Sequence, residues 1–306
     1  KLIMILGLVL SSMLMKAQAF FVPFPKAGDK YWQKQVPVAM RNDYIRLGNL
    51  YQKKPWWGIP AHYPKDHPEK DIQPVDLFNA ETAGMLAWTL YMLEDEINRK
   101  EKGLCDQVRS EIERRFLKPV LNQPQGWKNN ANNWNTWITA NWLQTVLICE
   151  QDAKQRDAAF KGVQQCLRTF MKGYPDDGGC EEGVSYWDCA GASFFESLYF
   201  MQFAPKQAVL TLTDAQKKKV ENMGRFITTM YINDLTFVNF SDAQAQNVPN
   251  INILFPYGEY LQNEQMMQLA AYVGKKYQYM QKPSTLFLKS GNYPMAKVKY
   301  RFVGMR

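Results

Sequence analysis

Histidine is scarce in this sequence: His62 and His67 are the only two among 306 residues. A zinc site built on imidazole ligands is thereby poorly supported. Cysteine is sparse as well, and Cys105, Cys149, Cys166, Cys180 and Cys189 contain no C-x-x-C pair. That excludes the metal and redox patterns recognised by such spacing. An odd number leaves at least one thiol outside any set of intramolecular disulfides. A Cys180–Cys189 bridge is conceivable and would staple a loop to the helix after it, while most of the five read as small buried apolar residues. Long apolar runs are missing too: beyond Met15 no stretch approaches the roughly 20 residues that a membrane span requires. Acids are fewer than bases, 29 against 37, for a net charge of +8.

What is present begins with an address. Lys1, the apolar run Leu2 to Met15 and then Ala17-Gln18-Ala19 follow the charged, apolar, small-residue order of a secretory signal peptide, with cleavage expected after Ala19. Phe20 follows rather than a cysteine, so a lipid anchor is not indicated. The expectation is an exported chain, periplasmic or secreted. An exported basic chain favours polyanions through long-range attraction, and acidic polysaccharide suits that better than nucleic acid. A generally basic surface without any ligand explains the charge equally well.

Hydrophobic periodicity organises the rest. A first helix is expected over about Val36 to Lys53, followed by the proline- and tryptophan-rich stretch Pro55 to Pro64, in which Trp56 and Trp57 plug the core or stack on sugars. Asp76 caps a helix that is apolar nearly all round, and such a helix is buried. Its successor, Leu104 to Leu121, keeps Leu104, Val108, Ile112 and Phe116 on one side and crowds charge on the other. The alternation recurs: Trp134 to Cys149 is apolar and Asp152 to Lys172 amphipathic, then Tyr186 to Phe203 is apolar and Asp214 to Tyr231 amphipathic. Buried and exposed helices alternating at roughly 55-residue intervals predict stacked helical hairpins. The fold expected is all-α, an incomplete (α/α) toroid of inner and outer helices with a short β-prone C-terminal stub. Phe237 to Ala243 is a short loop or strand, Asn247 to Gly258 reads as irregular because of Pro249 and Pro256, and a last helix runs from about Glu259 to Tyr279. The divisions are 1–19 as signal peptide, 20–283 as the toroid, and 284–306, with Thr285-Leu-Phe-Leu and Val298-Lys-Tyr-Arg-Phe-Val, as the start of a β-rich domain.

Two polar stretches interrupt this scaffold, each at the start of an inner helix. Tyr174 to Gly191 runs acids and glycines into Tyr186, and Gly178, Gly179 and Gly183 let the loop fold tightly. Asn129 to Trp137 interleaves Asn132, Asn133 and Asn135 with Trp134 and Trp137. Asn132 or Asn133 is accounted for as an N-cap, yet the density of asparagines exceeds what capping requires. Amide donors at a helix N-terminus suit a carboxylate, because the dipole and the N–H groups both favour negative charge there. Tyr186 has the bland reading of an amphipathic ring packed at a helix end.

Asn132-Asn-Trp-Asn-Thr-Trp-Ile138, Asp177-Gly-Gly-Cys-Glu-Glu-Gly-Val-Ser-Tyr-Trp187 and Phe237-Val-Asn-Phe-Ser-Asp-Ala243 together resemble the heparinase II/III-like polysaccharide lyases, over most of the chain from about Trp56 onward. The resemblance implies an incomplete (α/α) toroid followed by a β-sandwich, and cleavage of uronic-acid polysaccharides by β-elimination without a redox cofactor. By the same resemblance Asn133 neutralises the uronate carboxylate and Tyr186 transfers the proton. Asn132, Trp134, Asn135, Trp137, Glu182, Trp187 and His62 then bind substrate. Trp134 stands where several relatives carry a histidine. The chemistry is coherent: removing the C5 proton of a uronate builds charge on a group already negative, which needs placed donors, and a tyrosine of lowered pKa serves as base or acid. Two rivals remain open. A glycoside hydrolase on the same toroid would need two carboxylates across a cleft, from among Asp76, Asp177, Glu181, Glu182 and Asp242. A non-catalytic saccharide-binding relative would need none.

Overall fold

A computed structural model describes Trp57, Gly58 and residues 74–276. The signal-peptide reading, the helix expected at Val36 to Lys53, Trp56, His62, His67 and the β-prone stretch 284–306 lie outside the described residues.

The described chain is mostly helical. Helix α1 spans Leu77–Lys100, α2 Leu104–Ile112, α3 Lys118–Asn122, α4 Asn133–Cys149 and α5 Ala153–Gly173. Then follow α6 Val184–Trp187, α7 Ser193–Met201, α8 Asp214–Thr229, α9 Ile251–Tyr260 and α10 Glu264–Lys276. Between α8 and α9 lies a small antiparallel pair, β1 Tyr231–Asn233 and β2 Thr236–Phe237. Its turn residues Asp234 and Leu235 both have positive φ, the conformation that matches the twist of a tight hairpin. Leu235 tolerates it because its side chain is buried, and Asp234 is tied to Tyr272 and Lys276 of α10.

The expected alternation of buried and amphipathic helices is present. Helix α1 buries Ala80, Ala83, Leu86, Leu90 and Leu93, and α4 buries Ile138, Trp142, Leu143 and Val146. Helix α7 adds Phe194, Phe195 and Phe200. These helices lie side by side, α1 on α4 and α4 on α7. Trp88 Nε1 of α1 donates to Gln144 Oε1 of α4 at 2.8 Å, and Gln144 bonds Glu196 of α7. Helices α2, α5 and α8 bury one stripe each: Leu104, Val108 and Ile112; Phe160, Val163 and Leu167; Val220, Met223 and Ile227. Full burial of each large side chain contributes about 1.5–3 kcal/mol before entropy is counted. Trp57 belongs to this core, with the Arg115 guanidinium 5.4 Å from its ring centre.

Capping follows the sequence closely. Asp76 accepts from Asn79 N at 2.8 Å, Asp152 from Lys154 N and Gln155 N, and Thr213 forms a reciprocal capping box with Gln216. Two departures from expectation stand out. The 251–260 segment is helical, not irregular: Asn250 caps it through Asn252 N, and buried Ile251, Ile253, Leu254 and Tyr257 outweigh the donor lost at Pro256. It ends at Tyr260, and Gln262, whose φ is 52°, lies in the turn that follows, so the helix expected from about Glu259 begins instead at Glu264, as α10. The helix that begins at Val184 carries a π-turn at Asp188–Ala192 before continuing as α7. Such turns leave backbone carbonyls without their usual donors. Here Thr136 Oγ1 reaches Cys189 O at 2.9 Å and Ser193 Oγ reaches Asp188 O at 2.8 Å. All five cysteines are unpaired, so the bridge considered between Cys180 and Cys189 is not formed.

Candidate active site

The loop from Tyr174 to Gly183 is built on its backbone. Gly178 N donates to Pro175 O and Gly179 N to Asp177 Oδ1. Gly178 has φ of 79°, and a Cβ there would lie 2.2 Å from the Asn222 carbonyl carbon. The loop therefore lies directly on α8, where Asn222 Nδ2 donates to Asp176 O and Lys219 Nζ holds the carbonyls of Met171 and Tyr174. Gly183 has φ of 88°, and a Cβ there would meet Ala243 Cβ at 2.4 Å and Phe240 O at 2.7 Å. Glycine is the residue that fits both the backbone angle and the contact.

That contact joins two of the three motif segments, 177–187 and 237–243, and further bonds reinforce it. Gln244 N donates to Ser185 Oγ at 3.0 Å, and Asn250 N to Asp188 Oδ2 at 2.8 Å. The third stretch joins through Asn133, the first residue of α4, whose Nδ2 donates to Glu182 Oε2. Residues separated by about a hundred positions along the chain thus converge on the start of the Val184 helix. Tyr186 sits in its first turn, its N–H bonded to Gly183 O, its ring half-buried against the core.

Asparagine chemistry at α4 differs from capping. Asn132 occupies the N-cap position, yet its side chain makes no capping bond and is exposed. Asn133 is buried, and its Oδ1 has no hydrogen-bond partner among the described residues. An amide nitrogen carries two hydrogens, and the bond to Glu182 uses one of them. Asn135 is different again: fully buried, it donates to Asn130 O at 2.8 Å and Lys128 O at 3.3 Å. It holds the turn before α4 rather than facing a ligand. Trp187 is likewise a core residue, fully buried, donating to Met223 O at 2.7 Å and stacked near Tyr257. A saccharide has no access to either, which removes both from the expected binding set. Trp137 is half-buried and bonded to Glu81, and Trp134 lines a cavity with Asn132.

Sequence reasoning missed a group of half-buried acids. Burial raises the pKa of Glu81 against the opposing bond from Trp137. Burial pushes Asp188 up to about 7, and its Oδ1 is shut off from water with no partner among the described residues. Glu196 is also raised to about 7, by burial first and then by the neighbouring Asp188. The Cys189 thiol is raised by burial and then by Asp188, Glu81, Cys180 and Glu182, which locates these groups around it. A signal for them existed: Glu196 in Phe-Phe-Glu-Ser-Leu and Asp188 in Trp-Asp-Cys-Ala are lone acids in apolar runs. Of the acids weighed for hydrolysis, Asp76 is buried as a helix cap, Asp177, Glu181 and Asp242 are exposed, and Glu182 alone reaches Asn133. Among the described residues no three His, Cys, Asp or Glu side chains group as metal ligands, and no helix is long and apolar enough to cross a membrane.

The chain matches no protein-family model and no curated protein with which it was compared.

Proposed function

We propose that this chain is the helical, toroid-like part of a polysaccharide lyase that cleaves uronic-acid polymers by β-elimination. One observation carries the reading: Asn133 and Tyr186 stand at the starts of two inner helices that are locked together by the Asn133–Glu182 bond. The alternation of inner α1, α4 and α7 with outer α2, α5 and α8 supports the toroid. In this reading the helix start and the remaining Asn133 amide hydrogen receive the uronate carboxylate, where negative charge grows as the C5 proton leaves. The Tyr186 hydroxyl exchanges the proton between C5 and the departing O4, with Glu182 orienting Asn133. Burial of their carboxyl groups pushes Asp188 and Glu196 up to about 7, which favours the uncharged forms and limits repulsion of an anionic substrate. Incubating the purified chain with uronate polymers and following the ultraviolet absorbance of the new C4–C5 double bond tests the reaction.

A second reading, glycoside hydrolysis, has one observation in its favour: Glu81 and Glu182 both lie about Cys189, and the pKa of Glu81 is raised. Two carboxyls near one another, one of them holding its proton more tightly than usual, are the pairing hydrolysis uses. New reducing ends without ultraviolet absorbance would select this reading.

A further inference from the structure

The basic surplus of this chain is distributed unevenly over its outer helices. Every lysine and arginine of α2, α3 and the intervening turn Glu113–Leu117 is paired with an acid: Arg109 with Glu94, Arg114 and Arg115 with Glu111, and Lys118 with Glu113. So is every one in α8, where Lys217 meets Asp214, Lys218 and Arg225 meet Glu221, and Lys219 meets Asp176. Helix α5 is built otherwise, with five cations and one acid, Asp157. Arg156 bonds Glu150 O, but Lys154, Lys161, Arg168 and Lys172 are exposed, and among the described residues their side chains have no ion pair or hydrogen bond. Spacing is the second observation. Steps of seven, seven and four residues return to one side of a helix with 3.6 residues per turn, so the four cations fall within an arc of about 40°. They form one line about 27 Å long, the first three about 10 Å apart. Phe160, Val163, Leu167 and Phe170 are buried on the opposite side, so the line faces away from the core. Exposed Ala158 and Gln165 lie beside it and add no charge, and Asp157 stands at its edge between Lys154 and Lys161.

We infer that this line is a holding site for a linear polyanion, an acidic polysaccharide strand that lies along α5 outside the catalytic cleft. Helix stability does not account for the arrangement. Lys154 stands in the first turn, where the helix dipole disfavours a cation, and Arg168 and Lys172, four residues apart, repel one another. Solubility asks for charge of either sign, and α8 meets that need with both. A line of one sign complements a strand of the other. A nucleic-acid strand carries a charge about every 3.4 Å, roughly three times as dense as the line, whereas a polyuronate carries one carboxylate on each uronate ring. The site itself stands apart from the lyase reading, and naming a uronate polymer as its occupant rests on that reading. Helix α5 runs directly into the Tyr174 to Gly183 loop that carries Glu182, so a polymer held on α5 is tethered to the molecule that cuts it, which raises its effective concentration at the cleft.

The test is fluorescence anisotropy of end-labelled polymannuronate, longer than the line, titrated with the full chain at low ionic strength. Two variants remove the same net charge: Lys154→Gln with Lys161→Gln and Arg168→Gln on α5, and Lys217→Gln with Lys218→Gln and Arg225→Gln on α8. The α5 variant should lose at least about tenfold in affinity and the α8 variant less than about twofold, with circular dichroism confirming both folds. Lys161→Gln with Arg168→Gln should show an intermediate loss, and it decides the matter if the triple variant fails to fold. Equal losses from α5 and α8 would reduce the effect to net charge and overturn the site, as would an unchanged affinity in the α5 variant. Tighter binding of single-stranded DNA of equal length, with the same sensitivity to the α5 substitutions, would overturn the saccharide occupant. Ultraviolet absorbance in the same samples separates this inference from the lyase reading. On polymer the α5 variant should raise KM and leave kcat unchanged, while a uronate tetrasaccharide, too short to span the line, should be cut as by the parent. Selective loss of binding without unsaturated product from the parent leaves the holding site and removes the lyase reading, and product without selective loss does the reverse.

Discussion

Asp188→Asn offers the sharpest probe of the half-buried acids. In the folded chain Asp188 is raised to about 7 from an ordinary value of 3.8, chiefly by burial. The sign follows from proton counting. Between about pH 4 and pH 7 the folded chain keeps a proton on Asp188 that the unfolded chain has released, so stability falls as pH rises through that window and then levels off. A shift of about three units at about 1.36 kcal/mol each sets a ceiling of about 4 kcal/mol on the loss. Asparagine preserves the oxygen that accepts Asn250 N and replaces an oxygen that has no partner among the described residues. The variant should therefore match the parent near pH 4 and exceed it by up to a few kcal/mol near pH 8. Glu196, raised to about 7 with Asp188 contributing, keeps part of the slope, and Asp188→Asn combined with Glu196→Gln should flatten it further. Urea denaturation at pH steps from 4 to 8, followed by circular dichroism, reads this directly. An Asp188→Asn variant with the parent's full pH slope would refute the burial of that carboxyl.

Further outcomes follow from the same geometry. Tyr186→Phe should abolish elimination with thermal stability nearly unchanged, because the half-buried ring is kept and only the hydroxyl is lost; absorbance assays and thermal melts check it. Asn133→Ala should lower kcat by about 10² to 10³ if its amide meets the developing charge, and a loss confined to roughly 1 kcal/mol of stability would indicate a structural role instead. Gly183→Ala should destabilise by more than the roughly 1–3 kcal/mol of backbone strain alone, since its Cβ meets Ala243 and Phe240. Gly103→Ala, with φ of 82° and open space around it, isolates the strain by comparison in denaturant melts.

Local rules made much of this fold legible. The apolar-all-round pattern of α1 and the single stripe of α2 marked burial correctly because each helix reports its own environment through periodicity. Asp76 was recognisable as a cap for the same reason. Pro256 misled: proline argues against helix, but Ile253, Leu254 and Tyr257 gain more from burial than one missing donor costs. Cooperation between distant segments was less readable. Asn135 and Trp187 sit in the motifs with the right chemistry, and only their partners, Asn130 O and Met223 O, show that they are structural. The Asn133–Glu182 bond and the seat of Gly183 against Ala243 depend on tertiary contacts that no local pattern encodes.

The most direct measurement of the central claim is the ultraviolet absorbance of a uronate polymer incubated with the purified chain and, in parallel, with its Tyr186→Phe variant. The account predicts a rising C4–C5 double-bond signal for the chain and none for the folded variant. Depolymerisation without that absorbance, or an undiminished signal from Tyr186→Phe, would contradict it.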